Sequence, residues 1–238
     1  MMNRYFGDFH IHSALSPCAD DEMSPNNIVN MACLKELDII AVADHNSAKN
    51  LPALNQLAKA NDLLLIPAME VNAKEEVHIL CYFPDLTSCL TYSDYIYALL
   101  PDIPCNEAYF GKQLVYDTND NVIAKVEKLL LSSLPLTIDD IFHDVCELGG
   151  VPVFAHIDRK HSGVLSVLGF LPQHLDIRTV EISSLSASDR FSDKFLHIPL
   201  QTLISSDAHS LNQIMERANS LILESKSAEA FLHCLKEG

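Results

Sequence analysis

The chain has 238 residues, 48% of them hydrophobic, with 16 Lys and Arg against 32 Asp and Glu and a formal net charge of -16. That length and apolar content allow one large buried core in a single domain, and the acidic balance argues against a broadly basic surface for tracking a long polyanion. The seven cysteines (18, 33, 81, 89, 105, 146 and 234) are odd in number and form no Cys-x-x-Cys pair, which points to free thiols in a reducing cytoplasm rather than a disulfide framework. The first residues contain no apolar signal segment and no later stretch reaches spanning length, so a cytoplasmic protein with no membrane partner is expected.

In chain order, strand and helix patterns alternate. Gly7-Asp8-Phe9-His10-Ile11-His12 forms the first strand, where the period of two puts Asp8, His10 and His12 on one face and Phe9 and Ile11 on the other. A polar loop over 13–24 holds Asp20 and Asp21; Ser24-Pro25 then caps a helix over 26–36. The apolar run 38–43 has the pattern of a strand covered on both faces and delivers Asp44-His45-Asn46. A helix over 52–60, a strand over 63–68 delivering Glu70, and a strand over 77–82 carrying His78 follow.

The rhythm breaks over about 84–136, an insertion after the fourth strand that is expected to cap the domain spanning 1–238. It holds a hairpin whose turn is Asp117 to Asn121. The Asp117/Asn119/Asn121 spacing is no calcium loop, since Val122 replaces the glycine and Lys128 the bidentate glutamate. Alternation resumes with a helix over 137–148, a strand over 151–155 delivering His156, a strand over 179–183 carrying Glu181, and a strand over 201–205 delivering Asp207 and His209. A helix over 211–217, a strand over 220–224 and a helix over 228–236 follow.

Metal-competent side chains thus recur at or near strand ends: His10, His12, Asp20, His45, Glu70, His78, His156, Asp207 and His209. A His and carboxylate set without cysteine suits Zn, Mn or Fe and suffices for more than one divalent ion. His143, His174, His197 and His233 fall outside the strand-end pattern and are expected not to be ligands.

Asp8-Phe-His-Ile-His12, Ala43-Asp-His-Asn46, Ala68-Met-Glu70, His78, Ala155-His156 and Ser206-Asp-Ala-His209 resemble, in order, the motifs of the PHP (polymerase and histidinol phosphatase) superfamily. The resemblance implies an α/β fold, a distorted (β/α)7 TIM-like barrel, and a trinuclear metal centre that hydrolyses phosphoesters. It implies a first metal on His10, His12, Glu70 and Asp207, a second on Glu70, His78 and His156, and a third on Asp20, His45 and His209, with Asp21 the alternative to Asp20.

Asp8 and Asp44 are candidates for accepting the second nitrogens of ligand histidines, and Arg159, with Lys160 and His161 as weaker candidates, for holding phosphate. An amidohydrolase-type enzyme and a non-catalytic metal-binding domain are the alternatives. The expected substrate is a small phosphomonoester or nucleotide, with no long nucleic acid as partner.

Overall fold

A computed structural model of the chain describes residues 2–183 and 200–237; His197 lies outside them. The strands are β1 (Asn3–Ile11), β2 (Ile39–Val42), β3 (Leu64–Asn72), β4 (His78–Tyr82), β5 (Leu114–Tyr116), β6 (Val122–Lys125), β7 (Val151–Phe154), β8 (Thr179–Ile182), β9 (Gln201–Ile204) and β10 (Ser220–Leu223). The helices are α1 (Pro25–Leu34), α2 (Leu51–Ala60), α3 (Leu86–Leu99), α4 (Glu107–Phe110), α5 (Ile138–Glu147), α6 (Val164–Val167) and α7 (Ala228–Glu237). No helix among the described residues is long and apolar enough to cross a membrane.

Eight strands form one sheet in the order β10-β1-β2-β3-β4-β7-β8-β9. The sheet curls until Ala208, just past β9, forms a parallel bridge with Ile11 of β1, the His12 amide donating to the Ala208 carbonyl at 2.9 Å. This is the distorted TIM-like barrel that the motifs imply.

The period of two sorts each strand between two cores. Ile39, Ala41 and Ala43, Ile66 and Ala68, Leu80 and Tyr82, and Val151, Val153 and Ala155 join Phe231, Leu232 and Leu235 of α7 in an inner core. Ile40 and Val42, Leu65, Ile79 and Cys81, and Phe154 pack outward against α1, α2, α3 and α5. Phe231 closes the inner core, its ring 5.3 Å from Phe9 and 5.2 Å from Tyr82 between centroids. The capped helices begin as expected. The Ser24 hydroxyl accepts from the Asn27 amide, and Thr137 and Asp140 form a reciprocal capping box.

Three local expectations differ from the structure. First, β4 runs antiparallel to both β3 and β7, so His78 reaches the mouth from a strand start, opposite Asn72 at the end of β3. Second, the β1–β2 register shifts between Asp8 and Ile11, an irregularity that re-aims side chains. Phe9 and Ile11 consequently fall in different cores, and Asp8 turns to the 206–215 loop. Third, the helix expected over 211–217 is only a 3-10 turn, Leu211–Gln213. Ile214 is extended there, and the Met215 amide donates to Asp8 Oδ2 at 2.9 Å instead of to a helical carbonyl.

The 84–136 segment packs beside the mouth. Asn50 donates to the Leu114 carbonyl and accepts from the Tyr116 amide, while Asn46 donates to the carbonyls of Leu130 and Ser132.

Candidate metal centre

β1 ends by carrying two fully buried histidines into the mouth. His10 Nε2 and His12 Nε2 lie 3.1 Å apart. His12 Nε2 is 2.9 Å from Asp207 Oδ1 and 3.5 Å from Glu70 Oε2; His10 Nε2 is 3.4 Å from Asp207 Oδ1 and 3.7 Å from Glu70 Oε1.

Glu70, 1% exposed, is the hub. His45 Nδ1 meets its Oε2 at 2.9 Å, and His78 Nδ1 and His156 Nε2 meet its Oε1 at 2.9 and 3.0 Å. Burial alone would raise the Glu70 pKa, but His78, His45 and His10 outweigh it and hold the carboxyl well below the usual range. Burial also works against charge on His10, yet Glu181, Asp207 and Glu70 together raise its pKa well above the ordinary value. His12 is pushed down to about 3 by burial and the neighbouring His45.

The donor set fits cations. His10, His12 and Glu70 form one three-donor group, His45, Glu70 and His78 a second, and His12, His45 and His209 a third, each with donor atoms within 4.8 Å of one another. Among the described residues His156 Nδ1 is buried without a hydrogen-bond partner, an arrangement that is costly unless another group satisfies it, and the buried Asp207 Oδ1 faces the imidazoles of His12, His10 and His209. Backbone strain collects here too: His156 and Asp207 have φ of +29° and +50°, and the His156 amide is held by Glu181 Oε2 at 2.9 Å.

A cavity of about 480 Å³ opens onto these groups, lined among others by Cys18, Leu131, Arg159, Lys160 and His161. Cys18 is exposed at the cavity wall, and the protein mass around it together with the Glu70 and Asp207 carboxylates disfavours its thiolate. Arg159, 43% exposed, reaches Asp207 Oδ2 at 2.5 Å.

No family model matches the chain. Over 167 residues it is 28% identical to YqxK of Bacillus subtilis (strain 168), an uncharacterized protein, taking in 67% of this chain and 36% of YqxK. Its structure matches the lesion-specific endonuclease Q of Pyrococcus furiosus with a TM-score of 0.69 at 20% identity, over 99% of this chain and 56% of that one. A Bifidobacterium adolescentis protein assigned as a metal-dependent phosphoesterase matches with a TM-score of 0.62 at 17% identity, over 94% and 95% of the two chains. The fold shared with these proteins is the distorted TIM-like barrel. The chain spans only part of the length of YqxK and of endonuclease Q.

The same match corrects one expectation. An endonuclease Q structure holds a 27-mer duplex with an abasic lesion at the active site; it matches this chain with a TM-score of 0.67 at 21% identity, over 99% of this chain and 57% of that one. Absence of long nucleic acid as a partner therefore does not follow from the acidic composition of this barrel. Net charge sums the whole chain, whereas a strand is met locally. Asp8, Asp44, Glu70, Glu181 and Asp207 are buried and present little charge to a polyanion, while Arg159 and Lys160 line the cavity.

Of the residues singled out from the sequence, the barrel brings His10, His12, His45, Glu70, His78, His156, Asp207 and His209 together. Asp20 stands apart from these donor groups, exposed, with its amide on the His209 carbonyl at 2.9 Å. Asp21 pairs with Lys112. His174 is exposed and paired with Asp139, and His143 and His233 are exposed.

The two second-nitrogen candidates separate. Asp8 accepts from the Ser206 amide and hydroxyl at 3.0 and 2.5 Å and, among the described residues, bonds to no imidazole. Asp44 accepts from the Ser13 amide at 2.7 Å and the Ser16 hydroxyl at 2.7 Å, and Ser16 in turn meets His12 Nδ1 at 2.9 Å. Burial raises the Asp44 carboxyl to about 6 against those hydrogen bonds. Glu181, whose role the sequence left open, takes His10 Nδ1–H on both oxygens at 3.1 Å. Ser16 was not singled out; a serine four residues past a His-x-His strand end is the only signal it offers.

Proposed function

We propose that this chain is a metal-dependent phosphoesterase of the PHP superfamily. The observation that carries the reading is Glu70: one buried carboxylate with three imidazole nitrogens within 3.0 Å, beside His10, His12 and Asp207. His10, His12, Glu70 and Asp207 would hold a first divalent ion, Glu70, His78 and His156 a second, and His45 and His209 with Asp20 a third, drawn from Mn, Zn or Fe. Such ions supply Lewis acidity toward phosphoryl oxygens and lower the pKa of water toward neutrality.

The chain's own groups do the rest. Glu181 keeps His10 oriented with Nδ1 as donor. Arg159, half-exposed at the cavity wall, can exchange Asp207 for a phosphate oxygen and fork onto it. Leu131 of the 84–136 insertion walls one side of the cavity, so that segment would limit access as a partial cap. The cavity volume, about 480 Å³, suits a phosphomonoester or nucleotide. The match to endonuclease Q favours a second substrate form, a phosphodiester presented by duplex DNA.

The test is hydrolysis by protein reconstituted with Mn or Zn. Phosphate release is measured across a panel of phosphomonoesters and nucleotides, in parallel with cleavage of a duplex carrying an abasic site, and Glu70→Gln is the control. Turnover that follows metal loading and disappears in Glu70→Gln is expected. Metal-loaded protein that cleaves neither class would overturn the proposal.

A further inference from the structure

We infer that Ser16 is a positioning residue whose hydroxyl sets the tautomer of His12 and ties it to His45; the inference rests on the reading of His12 as a metal ligand. Ser16 is fully buried in the loop after β1. Its oxygen has three polar neighbours: Asp44 Oδ1 at 2.7 Å, His12 Nδ1 at 2.9 Å and the His45 amide at 3.1 Å.

A hydroxyl offers one proton and two lone pairs. The Asp44 carboxylate can only accept and the His45 amide can only donate. The Ser16 proton therefore goes to Asp44, and one lone pair takes the His45 N–H. The remaining lone pair faces His12 Nδ1, which must then carry the hydrogen. Asp44 has little freedom to rearrange. It also accepts from the Ser13 amide at 2.7 Å and the Ser13 hydroxyl at 2.6 Å, while Asn50 Nδ2 and the Leu15 amide donate to that hydroxyl oxygen at 2.9 and 3.2 Å.

With hydrogen on Nδ1, the bare lone pair of His12 is on Nε2. That is the nitrogen 2.9 Å from Asp207 Oδ1 and 3.1 Å from His10 Nε2. Without Ser16, the opposite tautomer would gain an Nε2–H bond to Asp207 and lose the ligand lone pair. Because His12 belongs to the group with His10 and Glu70, the hydroxyl prepares that lone pair for the first ion.

The test reads imidazole nitrogen shifts by NMR in chelated protein, with His12 assigned from a His12→Gln variant, alongside calorimetric zinc titrations. Wild-type protein should show His12 protonated at Nδ1, and Ser16→Ala should move it toward Nε2–H. Zinc should bind Ser16→Ala at least about tenfold more weakly, and Ser16→Thr should restore affinity. If Ser16→Ala does not fold, Ser16→Cys keeps the volume, weakens the acceptor, and should show the same loss. A wild-type His12 in the Nε2–H form, or a Ser16→Ala variant with wild-type zinc affinity, would overturn the inference. Wild-type protein that takes up no zinc would instead refute the metal-centre reading, while the chelated spectrum still decides the tautomer.

Discussion

Glu181→Gln isolates the carboxylate behind His10. The substitution keeps shape and volume, so no cavity term enters. What changes is the pattern of donors and acceptors. Glu181 accepts His10 Nδ1–H on both oxygens at 3.1 Å and the His156 amide on Oε2 at 2.9 Å, in a site 1% exposed. A glutamine has one oxygen and an NH2 group; even with that oxygen at the Oε2 position, where both donors reach it, the NH2 takes the Oε1 position and points a donor at His10 Nδ1–H. A buried donor left unpaired costs about 1–3 kcal/mol, which at this chain length is a fall in melting temperature of about 2–12 °C. His10 also loses the carboxylate that fixes Nδ1–H toward residue 181 and leaves Nε2 as the nitrogen facing the donor group, so zinc affinity should drop about 10–100-fold. Thermal melts of chelated protein and calorimetric zinc titrations measure the two effects separately. A Glu181→Gln variant that matches wild type in both would refute the claim that this carboxylate orients His10.

Chelation should lower both turnover and melting temperature, because a ligand bound only to the folded state contributes about 2.7 kcal/mol at a hundredfold excess over its Kd; differential scanning calorimetry with and without chelator checks this. His156→Ala should lose metal and turnover together, whereas Arg159→Ala should keep its metal and lose about 2–4 kcal/mol of transition-state binding. Metal analysis beside kcat/KM separates these, and equal metal loss in both would mean Arg159 is no phosphate holder. In chelated protein the His10 pKa lies well above the ordinary value, so its contribution to stability is full below about pH 6.5 and fades as pH rises through the raised value. Metal must displace that proton, so zinc affinity should rise over the same interval with protons released. Titrations in buffers of different ionisation heat measure the release, and affinity that falls with pH would reverse the assignment.

Much of the site was legible in the sequence because the determining rules are local. A period of two and a run of apolar residues locate a strand, and a polar group just past its end lands at one rim of the barrel. His45, Glu70, His156 and Asp207 could each be read that way, and His10 by alternation within the first strand. Other features depended on how distant segments meet. His78 reaches the rim only because β4 is reversed against β3, and strand direction is a property of the assembled sheet. The β1 irregularity takes Asp8 to Ser206 and Met215, whereas Asp44, adjacent to His45 in sequence, meets Ser13 and Ser16. Glu181 and His10 are 171 positions apart, and no local pattern foretells their contact. Net charge, a sum over all positions, carried no information about which carboxylates are buried, and so misled on nucleic acid. Composition and periodicity select the element and its exposed end; the direction, proton and partner of each side chain are set by distant segments, through the requirement that every buried donor and acceptor be matched.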